Sequence, residues 1–400
     1  MDRVLFVNVS NGIKRKFNSL GIGHMIASLK PLGLDIKSVK LRTVRELRPI
    51  LAGFNPDVVC LSSVSKFWGD TVRLARYADK VSTVIVGGHH ISLLPESLDV
   101  SMKIGVIGEG DYTIIEILSG KPLDEISGII FRKDNGLHYT GAREPIDDLG
   151  KLPHPYRISD DNHVMTSRGC MFDCSFCSSK AFWKGFRSFP AKWVVEEINS
   201  VKDMKRVDIW DDQFIVDKKR LEQIVSLMQV YRPPLAIHAR ANTVKSDIIP
   251  YLKELNVQVV GMGIESGSDR MLKILKGGSI TIKQIDRALG LLRDAGIGVH
   301  CSFILGHPDE NSDDLRATED FIRSRKIKRF DINMFTPMPG TRYWTYGIPK
   351  DLDFYKRLDS TSIKEPVLNF PAETVKTYKR LNRLKTLNRI RNILNCRNTG

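Results

Sequence analysis

No window of about 18 uncharged apolar residues occurs in the chain, which excludes a helical membrane span. The start, Met1-Asp2-Arg3-Val4-Leu5-Phe6-Val7, turns polar after a handful of apolar residues, so no secretory signal is expected. Cysteine is scarce. Six in 400 residues cannot form a disulfide scaffold, and a reducing cytoplasm is the expected compartment. Glycine and proline are not enriched, and 42% of the residues are hydrophobic, so disorder does not fit. The length suffices for two to three domains with cores of their own.

Charge of one sign dominates. The net charge is +15, a balance that suits nucleic acid, an anionic membrane face or an acidic protein partner. It is unevenly spread: from Pro371 onward eight Lys or Arg and one Glu373 supply +7, leaving +8 for the rest. Val375, Leu381, Leu384, Leu387, Ile390 and Leu394 recur through this tail with a helical rhythm. Two readings stand: a helix docked on the body with a basic outer face, or a basic amphipathic sensor for an acidic partner or lipid surface.

A strand–helix alternation runs through most of the chain. Short apolar runs at 4–9, 35–41, 57–62, 82–87 and 103–107 read as buried strands, with periodic stretches such as Thr71 to Ala78 between them. That rhythm predicts a doubly wound, Rossmann-like parallel sheet over 1–125. In such sheets ligands sit beyond the carboxyl ends of the strands. The candidate loops there are Asn8 to Gly12, Ser62-Ser63-Val64-Ser65, Gly87-Gly88-His89-His90 and Gly108-Glu109-Gly110. A polar connection ending in Lys151-Leu152-Pro153-His154-Pro155 reads as a linker over 126–160, because closely spaced prolines disfavour helix and sheet. A second series of strands is expected at 163–168, 206–211, 235–241, 258–265, 298–305 and 329–336. A helix capped by Asp217 should present Leu221, Ile224, Val225 and Met228 on one face. Six such units are two short of a closed barrel, so an open, partial (β/α)6 barrel over 161–345 is expected, followed by a short helical extension over 346–400.

The strongest signal is Cys170-Met171-Phe172-Asp173-Cys174-Ser175-Phe176-Cys177, on the loop leaving the first strand of the second series. Zinc would need a fourth ligand, for which Asp173 and His163 are available. Three soft thiolates crowded on one loop suit an iron–sulfur cluster better. A cubane of four irons held by three thiolates leaves one iron open to chelate a substrate or cofactor, and Phe172 and Phe176 would shield it from water.

Arg168-Gly169-Cys170-x-x-x-Cys174-x-Phe176-Cys177 resembles the signature of the radical S-adenosylmethionine (SAM) superfamily. The resemblance implies a 4Fe-4S cluster on Cys170, Cys174 and Cys177, whose open iron binds SAM, and reductive cleavage to a 5′-deoxyadenosyl radical. It implies further roles along the chain. Asp211-Asp212-Gln213 stands where the family has a Gly-Gly-Glu segment receiving the SAM amino group, a departure in sequence that still supplies acceptors. Arg240 resembles a basic contact to the SAM carboxylate, with a buried Arg240–Glu265 ion pair as the plainer alternative. Glu265-Ser266-Gly267 looks like the ribose-binding segment. Phe303 and Leu305, in Phe303-Ile304-Leu305-Gly306, and Pro337, in Pro337-Met338-Pro339-Gly340-Thr341, resemble segments that line the adenine and close the site.

The domain ahead of it resembles the cobalamin-binding domain of the cobalamin-dependent radical SAM subfamily, on Ser62-Ser63, Val84-Ile85-Val86-Gly87-Gly88-His89-His90, Leu94-Pro95-Glu96 and Gly108-Glu109-Gly110. Asn8, Ser62, Ser63, Gly87, Gly88, His89, Gly108 and Glu109 are the implied cobalamin contacts. The Asp-x-His-x-x-Gly motif that puts a histidine under cobalt is missing. Its nearest relic, Asp161-Asn162-His163-x-x-Thr166, lacks the glycine, so cobalamin without that histidine ligand is expected. Together the resemblances imply a radical SAM methyltransferase that places a methyl group on unactivated carbon through a deoxyadenosyl radical and methylcobalamin, with no acid–base residue named. An electron donor of flavodoxin or ferredoxin type is implied as a partner. A peptide or protein side chain is one substrate class, by analogy with the glutamine methylase of methyl-coenzyme M reductase; small anionic substrates fit the charge equally. The rivals are a ring-forming or rearrangement enzyme that transfers no methyl, and a non-catalytic nucleic-acid or membrane binding protein on the same fold. Nucleic acid is the weaker partner, because the cysteine triad is intact.

Overall fold

The computed structural model describes residues 2–10, 19–134, 136–157, 161–201, 205–228 and 232–397, with side chains in the last helix described through Ile390. Gly12 therefore lies outside the described residues, as do the side chains of Leu394 and Cys396. The chain forms two compact units. The first comprises 1–163, 178–189 and 338–358; the second comprises 164–177, 190–337 and 359–400.

The first unit is built on a seven-stranded sheet: β1 (Arg3–Val9), β2 (Asp35–Leu41), β3 (Val58–Ser62), β4 (Thr83–Gly87), β5 (Ile104–Val106), β6 (Ile129–Lys133) and β7 (Gly136–Tyr139), in the order β2-β1-β3-β4-β5-β6-β7. The first five are parallel. Val4, Leu5, Phe6, Val7, Val58 and Val59 are all buried, since crossover helices bury a parallel sheet on both faces and its strands read as continuous apolar runs. Cys60 belongs to this core, and burial pushes its thiol up to about 12, so it stays neutral. The order 2-1-3-4-5 puts a topological switch between β1 and β3, where the crossovers leave in opposite directions and open a crevice.

The segment read as a linker is corrected in part. The strands Ile129–Lys133 and Gly136–Tyr139 pair antiparallel and extend this sheet beyond β5. Their signal was present: Asn135-Gly136 between Ile-Ile-Phe-Arg-Lys and Leu-His-Tyr is a two-strand turn signature, with Asp134 in the left-handed region at φ 48°. Residues 338–358, expected in the barrel and its extension, belong to the first unit. They do so through Leu352, whose carbonyl closes on Gly69, and Tyr355, whose ring meets His90 edge-on.

The second unit carries a six-stranded sheet in which Phe330–Met334, Gly298–Leu305, Val257–Glu265, Leu235–His238, Val207–Ile209 and His163–Val164 follow one another. From Val207–Ile209 onward the pairs are parallel. Asp217 caps the helix Lys218–Leu227 by accepting from the Arg220 N–H, and Leu221, Ile224 and Val225 are buried, as the spacing predicts. Alternation divides the sheet into two faces. Ile209, Ile237, Met262, Phe303 and Ile332 are buried on one; Asp208, His238, Gly261, Gly263, His300, Ser302, Asp331 and Asn333 lie on the other and are partly or fully exposed.

The tail forms the helix Ala372–Arg397. Thr374, Thr377 and Leu381 are buried, Arg380 donates to Glu319 and Lys385 pairs with Asp331. The docked reading holds for this stretch. Leu387 and Ile390 are exposed, because a three-residue spacing winds the apolar positions around the helix away from the docked side. No helix among the described residues is long and apolar enough to cross a membrane.

Candidate functional site

The cysteine loop leaves the second unit's sheet through a tightly held turn. Asp211, buried at the end of its strand, accepts from the Thr166 and Ser167 backbone N–H groups at 2.6 and 3.1 Å and from their hydroxyls at 2.5 and 2.7 Å. Arg220 donates to the Thr166 carbonyl. Burial raises the Asp211 carboxyl above its ordinary range, against the pull of Arg220 and these donors. The Asp211 oxygens are thus occupied in anchoring the residues that lead into Cys170, and its assignment to SAM is corrected. Asp212, next along and exposed, is the member of the pair whose charge acts on Cys170.

The loop itself is closed by a Cys177 N–H to Cys174 carbonyl bond and pinned to the helix Asp269–Lys276 through Ser175, whose N–H donates to the Leu275 carbonyl. Cys170 and Cys174 are half-buried and Cys177 is exposed. Burial raises the Cys170 thiol, assisted by the negative charge of Asp212. No group of three His, Cys, Asp or Glu side chains among the described residues is gathered to hold a single metal ion. A cubane asks less of its ligands in that respect, since each thiolate meets a different iron; three thiolates on a short, pinned loop fit that group. His163, a proposed fourth zinc ligand, is instead hydrogen-bonded to Asp161 at 2.5 Å.

Arg240 stands over this loop. Its guanidinium lies 4.3 Å from the Phe172 ring centroid, and one nitrogen donates to the Cys174 sulfur at 3.2 Å. Gln213 holds the Arg240 backbone N–H through Oε1, which positions Arg240. The alternative Arg240–Glu265 pair does not form. Glu265 is buried against Lys276 at 3.1 Å, and it sits at φ 69°, an uncommon conformation for a residue with a side chain. Ser266 is buried and bonded to Thr318, so it serves packing. Phe303 and Leu305 are fully buried, with Phe303 set against Phe321 and Phe330. Their side chains are taken up by the core and not by a ligand surface, which corrects their assignment to the adenine; Ser302 and Ile304 occupy the alternate face. Pro337 is buried. Lys276 carried no sequence signal, whereas Ser302, His300, Asp331 and Asn333 could have been found by keeping the period-two count.

In the first unit the strand ends line up. Asn8 is in register with Ser62, and Ser62 with Gly87, so three candidate residues form one row across β1, β3 and β4 beside the switch point. Gly88 has φ 98°, and a Cβ there would stand 2.6 Å from the Ser63 carbonyl oxygen; only glycine fits. Gly108 is also left-handed, at φ 79°, with open space where a Cβ would go. Its N–H donates to Ser92, which donates to the Gly88 carbonyl. A small pocket adjoins it, lined by Ser92, Gly108, Arg143, Phe182 and Trp183 among others. Backbone clearance of this kind fits a large flat cofactor.

Several side chains assigned to cobalamin are otherwise engaged. The Ser63 hydroxyl is buried and accepts from Thr71 at 2.7 Å. Glu109 is buried in an ion pair with Arg187 at 2.7 Å and accepts from the Ile146 N–H. His89 stacks on Phe182 at 3.9 Å. His90 is a core residue between Ser65 and Ser97, and burial pushes its pKa down to about 3.

Residues 164–322 match the Radical SAM superfamily. The second unit thus carries a radical SAM domain. Among curated proteins it is 28% identical over 382 residues to an uncharacterized methyltransferase of Pyrococcus horikoshii, covering 86% of this chain and 82% of that one. It is 25% identical to the anaerobic magnesium-protoporphyrin IX monomethyl ester cyclase of Rubrivivax gelatinosus, over 74% of this chain but only 59% of the cyclase. Among solved structures it resembles the radical SAM methyltransferase TsrM of Kitasatospora setae, which holds cobalamin and a [4Fe-4S] cluster. The TM-score is 0.73 at 18% identity, over 86% of this chain and 74% of that one. It also resembles the cobalamin-dependent radical SAM enzyme OxsB, which holds aqua-cobalamin and SAM, with a TM-score of 0.67 at 18% identity over 96% of this chain and 61% of that one. The fold is the one these two enzymes share.

Proposed function

We propose that this chain is a cobalamin-dependent radical SAM methyltransferase that methylates an unactivated carbon. When bound, the cluster, SAM and cobalamin supply radical generation and a transferable methyl group. The protein's own part is to hold, orient and shield. Cys170, Cys174 and Cys177 hold the cluster; Asp212 accepts from the SAM ammonium; Phe172 and Arg240 cover one side of the loop. Asn8, Ser62, Gly87, Gly88 and Gly108 offer cobalamin a surface of small residues and exposed backbone. The observation that carries the reading is the pinned three-cysteine loop of a radical SAM domain, in a chain whose first sheet has the 2-1-3-4-5 order with its strand-end row at the switch point. The substrate reading is narrower: the small and polar face of the second sheet, from Asp208 to Asn333, suits a polar substrate, a peptide side chain or a small anionic compound.

The test is cobalamin, iron and sulfide content after anaerobic reconstitution, followed by product analysis. About one cobalamin and four irons per chain, with S-adenosylhomocysteine and 5′-deoxyadenosine formed together on turnover, support the methyltransferase. Likeness to the cyclase favours a second reading, ring formation without methyl transfer. It predicts deoxyadenosine without matching S-adenosylhomocysteine.

A further inference from the structure

We propose that Arg240 sets the reduction potential of the cluster, holding a positive charge and an N–H donor against the Cys174 sulfur. The inference rests on Cys174 being an iron ligand, and it gives Arg240 a role separate from any contact to SAM. Arg240 is only 3% exposed. One terminal nitrogen donates to Cys174 Sγ at 3.2 Å; the other donates to Ser279 Oγ at 2.6 Å and to the Lys276 carbonyl at 3.4 Å. The Phe172 ring lies beneath the guanidinium. Nε is left without a protein partner. The charge is therefore fixed in place by bonds on both terminal nitrogens and cannot swing into solvent.

Hydrogen bonds to cluster sulfurs, local charge and exposure are what tune such potentials. One electron from a low-potential donor of ferredoxin or flavodoxin type converts the cluster from 2+ to 1+, and negative charge grows at the ligand sulfurs. A cation in a poorly screened site stabilises that reduced state, and a charge-assisted N–H···S bond strengthens with it. Arg240 thus raises the potential into the reach of its donor. It is a positioning and tuning residue, since it acts through Cys174.

The experiment is a potentiometric titration of the reconstituted full-length chain, followed by electron paramagnetic resonance before SAM is added. Leaving SAM out separates this role from carboxylate binding. Arg240→Gln should lower the ratio of reduced to oxidised cluster at the wild-type midpoint about tenfold, about 59 mV for a one-electron couple. Arg240→Lys, which keeps the charge but loses the fork, should move the ratio less. An unmoved potential in Arg240→Gln with wild-type iron and sulfide overturns the proposal. Should that variant take up little iron, Ser279→Ala decides: it removes the bond that aims the guanidinium, and a two- to threefold fall in the same ratio is expected. No fall at wild-type iron content overturns the proposal. Wild-type protein that takes up no cluster breaks the cysteine assignment itself, and iron and sulfide content reveal that separately.

Discussion

The cysteine loop and the strand ends of the first unit make their sites in different currencies. At the loop the chemistry sits in side chains: three sulfurs, an arginine on one of them, and an aspartate nearby. At the strand ends it sits in the backbone. Asn8, Ser62 and Gly87 form a row through register, and Gly88 and Gly108 contribute by having no side chain. The polar side chains around them, Ser63, Glu109 and His90, are occupied in holding the loops together. A site made of soft donors announces itself by residue type and spacing. A site made of clearance announces itself only weakly, because glycine at a strand end has several causes.

Removing a donor should have the largest effect. Cys174→Ala is expected to abolish cluster assembly and deoxyadenosine formation while leaving cobalamin uptake near normal. Normal deoxyadenosine yield from that variant would end the cluster assignment. Next come the two glycines, which separate clearance from fold. Gly88→Ala meets the Ser63 carbonyl and should cost about 3 kcal/mol by denaturant unfolding. Gly108→Ala meets nothing and should cost about 1 kcal/mol, yet lose cobalamin binding by narrowing the open side. If Gly108→Ala binds cobalamin like the wild type, the cofactor does not approach there.

A third contrast divides the aspartate pair. Asp211→Asn turns an amide N–H₂ toward donors and should cost roughly 2–3 kcal/mol. Asp212→Asn should leave stability within about 0.5 kcal/mol and weaken SAM binding about tenfold, the scale of one charge-assisted bond. Equilibrium binding and unfolding on the two variants check both halves. An unaffected SAM affinity in Asp212→Asn would return the question to the rest of the loop.

The last contrast is a pair of opposed pH slopes. In the first unit burial pushes His90 from an ordinary 6.5 down to about 3, so its contribution is present above pH 6.5 and is lost as pH falls toward 3. In the second unit burial pushes Glu310 from 4.5 up to about 7. Its contribution is complete below pH 4.5 and lost as pH rises through about 7, on the order of 2 kcal/mol. Glu310→Gln should flatten the fall in melting temperature between pH 5 and 8. An unchanged slope would place the titrating group elsewhere.

Much of the architecture is legible in the sequence. The β1 to β5 strands, the later parallel strands and the Asp217 cap follow from apolar runs and capping chemistry, which are local properties of the chain. The pairing of Ile129–Lys133 with Gly136–Tyr139 was legible too, through Asn135-Gly136, but prolines downstream masked it. The C-x3-C-x2-C spacing marks the cysteine loop, because thiolates close in sequence stay close in space. Only the tertiary structure decided which partner within the protein each polar residue takes. Asp211 or Asp212, Glu265 with Lys276 rather than Arg240, Phe303 or Ser302, Glu109 with Arg187: each choice turns on strand phase or on a partner up to 78 residues away. A buried polar group takes whichever partner the fold brings within hydrogen-bond distance, and that distance is set by packing between elements rather than by their order along the chain.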